Sequence, residues 1–325
     1  MSSISRSVSN YTAPFANLNA VAEHQIKCKK SDLYRCAITV GNPTFISMRA
    51  IREHGFWPIL FTSLIDKCSV VASNLTDTGG RLRRSTIYDT YVTYKKREVS
   101  YSLGMAFAKL HSEKLLNIRN LVHLEFLKQQ NSVTFVPQPG NKRPQEPDSV
   151  GQAANGTWHL FEAKGTTYEN TLAKKISDAK TQVNQISTIR GQPPATRSVS
   201  ATYIGRDRIF TRIEDPSDTG SSTIDFDDVN FIRSYYAPFL MPQQEGYPDA
   251  VNRTIDGVSV SMFEIENRVS QLSIGFLSKA LPFVLAGDAT NLSLMLSDLA
   301  DLTEREGDGY SFGPDGFVVG FKPKD

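Results

Sequence analysis

Between residues 98 and 205 the spacing of apolar residues switches period, and that switch limits the fold more than anything else in the chain. Residues 98–129 begin helically, with Leu103, Phe107, Leu110 and Leu115 recurring at three- to five-residue spacing to make one apolar face. A second short helix is expected over residues 121–130. Ser132-Val133-Thr134-Phe135-Val136 then alternates and is rich in β-formers, as a strand requires. A proline-bearing loop, 137–146, leads into Pro147-Asp148-Ser149-Val150. Asn155-Gly156 is a hairpin signal, and Trp158-His159-Leu160-Phe161-Glu162-Ala163-Lys164 reads as the returning strand, ended by Gly165. Residues 171–190 carry the clearest helical stripe, Leu172, Ile176, Ala179, Val183 and Ile186, stopped by Gly191-Gln192-Pro193-Pro194. Residues 198–204 alternate again. The order helix, strand, strand, strand, helix, strand predicts an α/β (α+β) core, a mixed central sheet flanked by helices.

Three segments follow from this reading. Residues 1–90 form an N-terminal extension of mixed helix and strand, suited to nucleic-acid or partner binding; it opens with an arm to about residue 20 and contains a loop over 76–84. Residues 91–213 are the core. Residues 214–325 are acidic and mainly helical, with a loop over 214–228, helices over 262–283 and 289–304, and a hairpin around Pro314-Asp315-Gly316.

Charge is segregated along the chain. The net charge of +2 divides into +14 for residues 1–213 (29 basic, 15 acidic) and −12 for residues 214–325 (7 basic, 19 acidic). A polyanionic partner for the front two-thirds accounts for this, as does mutual attraction between the two parts. Arg81, Arg83, Arg84, Lys95, Lys96 and Arg97, interleaved with Tyr88, Tyr91 and Tyr94, are the candidate nucleic-acid contacts; a solvated charged face is the other reading. The longest apolar stretch, residues 272–286, is too short to span a bilayer and is interrupted by Lys279. The polar start and three scattered cysteines, Cys28, Cys36 and Cys68, point to a reduced cytoplasmic protein with no membrane association.

The chemistry-bearing residues lie on the hairpin. Residues two apart on a strand share a face, so Glu162 and Lys164 point one way and Ala163 the other. If Ala154-Asn155-Gly156 is a three-residue loop with Gly156 left-handed, paired residue numbers sum to 310 and Asp148 lies opposite Glu162. A two-residue loop shifts the register by one and separates them. Opposed carboxylates repel, and a divalent cation held by hard oxygen ligands removes that penalty. The expected ligands are Asp148, Glu162 and the backbone carbonyl of Ala163, and the expected ion is Mg²⁺, with Mn²⁺ able to substitute. Such an ion activates a phosphodiester and a water, while Lys164 steadies the charge of the transition state.

Pro147-Asp148, thirteen residues, then Glu162-Ala163-Lys164 resembles the signature of the PD-(D/E)XK nuclease superfamily, which includes many restriction endonucleases. That family shares a restriction-endonuclease-like αβββαβ core, the element order read above, and the resemblance covers about 110 of the 325 residues. It implies a Mg²⁺-dependent endonuclease acting on DNA in restriction, defence or repair, with Asp148, Glu162 and Lys164 catalytic. Many members add a Glu from the preceding helix, often after a Gly; here Gly104 is followed by Met105, leaving Glu98 or Glu113 for the role. Some use a Gln on the following helix, for which Gln182 and Gln185 are candidates. The partners implied are nucleic acid and a homodimer or partner protein. The missing Gly-Glu pair also fits a second reading, a catalytically inactive nuclease-fold module that binds nucleic acid or a protein. A third is a structural protein in which Glu162 and Lys164 form an ordinary surface ion pair.

Other polar residues carry less. His24, Cys28 and Cys36 lack zinc spacing and a fourth ligand. His159 faces away from Glu162, which gives it a structural role. His123 has no partner in the sequence reading, and Asp225, Asp227 and Asp228 lack the spacing of a calcium loop.

Overall fold

The computed structural model describes residues 2–9, 23–40, 53, 55–129, 133–136, 146–217, 220–244, 250–266, 268, 270–297 and 309–323. In chain order the elements are β1 (Ser2–Ser9), β2 (Glu23–Cys28), α1 (Lys30–Thr39), α2 (Phe56–Asn74), β3 (Leu75–Thr78), β4 (Arg81–Arg84), α3 (Thr93–Leu116), β5 (Ile118–His123), α4 (Leu124–Gln129) and β6 (Val133–Val136). They continue with β7 (Ser149–Ala153), β8 (Trp158–Thr166), α5 (Leu172–Val183), β9 (Ile186–Ile189), β10 (Thr196–Ile204), β11 (Ile209–Glu214) and β12 (Ser222–Phe226). The last are α6 (Asp228–Gln244), β13 (Val251–Ile255), β14 (Val258–Glu266), β15 (Ser270–Leu277), α7 (Leu281–Ala286), α8 (Ala289–Ser297), β16 (Tyr310–Phe312) and β17 (Phe317–Pro323). The mixed α/β class expected from the sequence is what these elements make.

Three sheets result. The largest has nine strands in the order β3-β4-β1-β11-β10-β8-β7-β5, with β2 added against β1. At its functional end β8 runs parallel to β10 and antiparallel to β7, which is antiparallel to β5. The second sheet is β6-β12-β9 and the third β13-β14-β15-β17-β16.

Helices cover both faces of β8. Phe161 and Ala163 share an apolar cluster with Met105 and Ala108 of α3. The helix comes very close here: a Cβ on Gly104 would lie 2.8 Å from the Gly165 nitrogen, and one on Gly165 would overlap the Ser100 carbonyl. On the opposite face Val199 and Ala201 of β10, which flank Glu162 and Lys164, pack with Leu172, Ile176, Ala179 and Val183 of α5. The helical stripe read from the sequence is therefore what covers the carboxylate face. The main core runs from Cys28 to Val319.

Beside that core sits a buried ionic cluster. Arg35 of α1 makes a two-pronged contact with Glu113 of α3 at 2.8 and 2.7 Å, and Lys109 reaches Glu113 at 3.0 Å. Asp315, in the turn between β16 and β17, lies 3.9 Å from Arg35 and 3.8 Å from Lys109 and accepts the Tyr235 hydroxyl. Part of the charge segregation is thus used internally, because cations of the front segment meet tail acids here and at Arg190–Asp228 and Lys180–Glu214.

Several expectations are corrected. The start of the expected arm is strand β1, and residues 76–84 form the β3–β4 hairpin with Gly79 and Gly80 both left-handed. The first strand beside β7 is β5, not 132–136, because α3 ends at Leu116 and residues 121–123 are extended. Val133–Val136 is a strand, but it belongs to the second sheet. The helix expected over 171–190 stops at Val183, and the acidic segment 214–228 contains β12. Residues 262–283 form most of β14 and β15 rather than a helix. The strand period is present in the sequence: Leu272, Ile274 and Phe276 of β15 sit two apart, as do Val258 and Val260 at the start of β14, a spacing that suits a strand and not a helix. The hairpin around Pro314-Asp315-Gly316 is present. Residues 10–20 of the arm, 137–145 of the loop and 298–304 of the last expected helix lie outside the described residues. Among the described residues no helix is long and apolar enough to cross a membrane.

Candidate active site

The β7–β8 turn sets the site. Ser149 pairs with Phe161, Val150 with Leu160, Gly151 with His159 and Gln152 with Trp158, and Gly156 is left-handed at φ 84°. This is the register of the three-residue loop, so Asp148 falls opposite Glu162. The β7 pairing stops at Phe161, and among the described residues no strand pairs with that side of β8 from Glu162 onward.

Asp148 and Glu162 fill the gap reciprocally. The Asp148 backbone N–H donates to Glu162 Oε2 at 2.8 Å, and the Ala163 N–H donates to Asp148 Oδ2 at 2.9 Å. A residue's N–H and C=O point the same way from a strand, so the Ala163 carbonyl faces the Asp148 side as well. Lys164, two residues on and on the Glu162 face, pairs with Glu162 Oε1. Glu162 is fully buried, whereas the Lys164 side chain retains 27% of its exposure. Burial first, and the Asp148 carboxylate second, push Glu162 up to about 7, against the pull of Lys164 and the Asp148 N–H.

The approach to Asp148 is tied down on both sides. Pro147 is buried, the Asp148 carbonyl accepts the Leu124 N–H at 2.9 Å, and Gln182 of α5 donates to the Glu146 carbonyl at 3.1 Å. Gln182 therefore holds the loop that carries the acid. Gln185 falls past the end of α5 in the turn to β9, where its carbonyl accepts the Ser222 N–H of β12 at 2.9 Å.

Two groups complete the surroundings that the sequence reading did not place there. Tyr101 of α3 shares a hydrogen bond of 3.1 Å with His123 Nε2 at the end of β5. Burial and then the charges of Asp148 and Glu162 raise the Tyr101 hydroxyl above its ordinary value, while burial lowers His123. His123 was hidden by reading residues 121–130 as a helix. Tyr101 lies one helical turn before Gly104, the point of closest approach to β8, and that is the signal that marks it.

Other candidates lie elsewhere. Among the described residues no third His, Cys, Asp or Glu joins Asp148 and Glu162 in a metal-holding group. Glu113 is committed to Arg35 and Lys109, and Glu98 is exposed and paired with Lys95 at 3.1 Å. Met105 packs in the apolar cluster on the far face of β8. Arg81, Arg83 and Arg84 are on β4, four strands from β8 and so about 19 Å across the sheet. Arg84 is held by Asp89 at 3.1 Å and lies over Tyr88. Lys95, Lys96 and Arg97 are on the first turns of α3, ahead of Tyr101. His159 bridges Thr157 and Thr196 at 3.0 and 2.9 Å, and burial lowers it to about 4, which fits a neutral structural role.

No family model, curated protein or solved structure matches the chain.

Proposed function

We propose that this protein is a Mg²⁺-dependent nuclease of the PD-(D/E)XK type that hydrolyses phosphodiester bonds of DNA. The observation that carries the reading is the meeting of Asp148, Glu162 and Lys164 on the open side of β8. With α4, β6 and β9 set aside as additions off the main sheet, the order α3, β5, β7, β8, α5, β10 supports it, since it follows the αβββαβ order of that family's core.

The donor set fits the ion. A buried carboxylate beside a second one, with Lys164 the one cation paired to them among the described residues, is a costly arrangement that a divalent cation relieves. Asp148, Glu162 and the Ala163 carbonyl would hold it, three oxygen donors that leave room for the waters Mg²⁺ keeps. Bound there, Mg²⁺ or Mn²⁺ supplies Lewis acidity toward a phosphoryl oxygen and lowers the pKa of a coordinated water. Lys164, partly exposed beside Glu162, stabilises the negative charge that builds on the phosphate. Gln182 keeps the Asp148 loop in place. A cytoplasmic role in restriction, defence or repair suits such an enzyme.

The lack of a third carboxylate at the site among the described residues favours the second reading, an inactive module of the same fold. Incubation of plasmid and of single-stranded DNA with the protein in Mg²⁺ or Mn²⁺ decides between them. Cleavage that chelator abolishes, and that Asp148→Ala and Lys164→Ala reduce about 10²- to 10³-fold, supports the nuclease. No cleavage of either substrate in either metal supports the binding module.

A further inference from the structure

A cavity of about 440 Å³ opens between α1, α2 and α3 and is lined by the Tyr101–His123 pair, which sits next to the candidate active site because His123 pairs with Ser149, the neighbour of Asp148. We propose that this cavity receives the base of an unpaired nucleotide, so that the strand placed for cleavage is single-stranded or locally unpaired rather than continuous duplex. The inference rests on the nuclease reading and names its substrate class.

Four observations carry it. The volume suits a ligand of nucleotide size. Tyr91 and Tyr101 are among its lining residues, and bases stack on aromatic side chains without regard to sequence. Its charges balance: Lys67 and Lys95 line it together with Asp66 and Glu98, and Lys95 already pairs with Glu98 at 3.1 Å. A balanced wall prefers a neutral polar ring to a phosphate, which is left outside, on the Lys164 side of the Tyr101–His123 wall.

The fourth observation is Asn74, a lining residue only 2% exposed. Its amide nitrogen donates to the Val70 carbonyl at 2.9 Å, which fixes the amide orientation. Its Oδ1 is then buried with no hydrogen-bond partner among the described residues. Orphaned buried acceptors are rare. Turned toward the cavity, this one meets the N–H groups on the edge of a base, and only an unpaired base can enter to reach it.

Fluorescence anisotropy with the full chain in Ca²⁺, a cation chosen to hold the site without turnover, tests this. The probes are a labelled single strand of thymidines, the same strand with abasic sites, and a duplex of equal length. The expected result is that the thymidine strand binds at least about tenfold tighter than the other two. Ser69→Trp, which fills the cavity, and Asn74→Ala should each remove most of that preference, with melting curves confirming that both fold. Equal or tighter binding of the duplex or the abasic strand overturns the proposal, as does an unchanged preference in both folded variants. The two readings fail separately. If cleavage depends on Lys164 but neither variant alters binding, the cavity inference alone is lost. If the variants abolish a real single-strand preference while no substrate is cleaved, hydrolysis is lost and the cavity stands.

Discussion

Asp148 and Glu162 are joined twice over: Glu162 Oε2 receives the Asp148 backbone N–H at 2.8 Å, and their charges act on each other strongly enough to help drive Glu162 up to about 7. The hydrogen bond fixes the pair in place while the charges oppose it. Under the nuclease reading, that opposition is what a bound divalent cation would relieve.

That opposition has a pH signature. The folded chain holds the Glu162 proton up to about pH 7, whereas the unfolded chain releases it near 4.5. The stability from this group is therefore complete below about pH 4.5 and is lost as the pH rises through 7. Glu162→Gln removes the titration and keeps an acceptor for the Asp148 N–H. In chelator at pH 8 the variant should be more stable than the parent, by at most about 3 kcal/mol, and the gain should vanish by pH 5. Added Mg²⁺ should raise the melting temperature of the parent at pH 8 and leave Glu162→Gln unmoved. Denaturant unfolding at both pH values checks this; a variant less stable than the parent at pH 8 contradicts it.

Gly165 and Gly156 make a matched pair of tests for the α3–β8 contact. Gly156 is left-handed with open space around it, so Gly156→Ala costs only the backbone strain, about 1 kcal/mol. Gly165 has no room for a Cβ against the Ser100 carbonyl, so Gly165→Ala must push α3 from the sheet, at about 3 kcal/mol or more. Because Lys164 is the preceding residue, the same change should depress cleavage beyond its effect on folding. Unfolding midpoints and cleavage rates of the two variants, compared side by side, measure both effects.

The hairpin was legible because Asn155-Gly156 marks its turn, but that pair suits a two-residue as well as a three-residue loop, and the register that sets Asp148 opposite Glu162 is read from the strand pairing. Glu162 and Lys164 were legible as a pair because strand alternation needs no tertiary knowledge. Strand β5 was not, since Ile118–His123 lies between two helices with no glycine or proline to mark it. The stop signal that exists is Asn117, left-handed at φ 52° with its N–H on the Glu113 and Ser112 carbonyls, a helix end for which asparagine is an accepted alternative to glycine. Placing β5 would have put His123 beside Asp148. The Arg35–Glu113 pair joins residues 78 apart in sequence, and no local pattern announces a contact of that kind.

Gln182→Ala separates two roles for that side chain. As the group that holds the Glu146 carbonyl, it steadies the loop before Asp148, and its loss should cost about 1 kcal/mol of stability. Metal binding should weaken about fivefold, because Asp148 is less well held, while the rate at saturating Mg²⁺ stays within about twofold of the parent. A Gln that instead held the attacking water would lower the saturated rate and spare the metal affinity. Mg²⁺ titrations followed by cleavage rate and by melting temperature distinguish the two patterns.

Glu113 is the strongest case of a candidate ligand that the structure sends elsewhere. Its carboxylate is shared between Arg35 and Lys109 with almost no exposure, and removing it leaves two buried cations with Asp315 as their one remaining carboxylate neighbour among the described residues. Breaking one partner of a buried pair in this way costs about 3 to 5 kcal/mol. Glu113→Ala should destabilise the protein by that amount and leave the Mg²⁺-induced rise in melting temperature unchanged. The double variant Arg35→Ala, Glu113→Ala should lose less than the sum of the single losses, because no guanidinium is then stranded. A Glu113→Ala protein that folds normally but has lost its Mg²⁺ response would return this residue to the metal site. A deficit confined to stability, recovered in part in the double variant, assigns it to tying α1, α3 and the β16–β17 turn together.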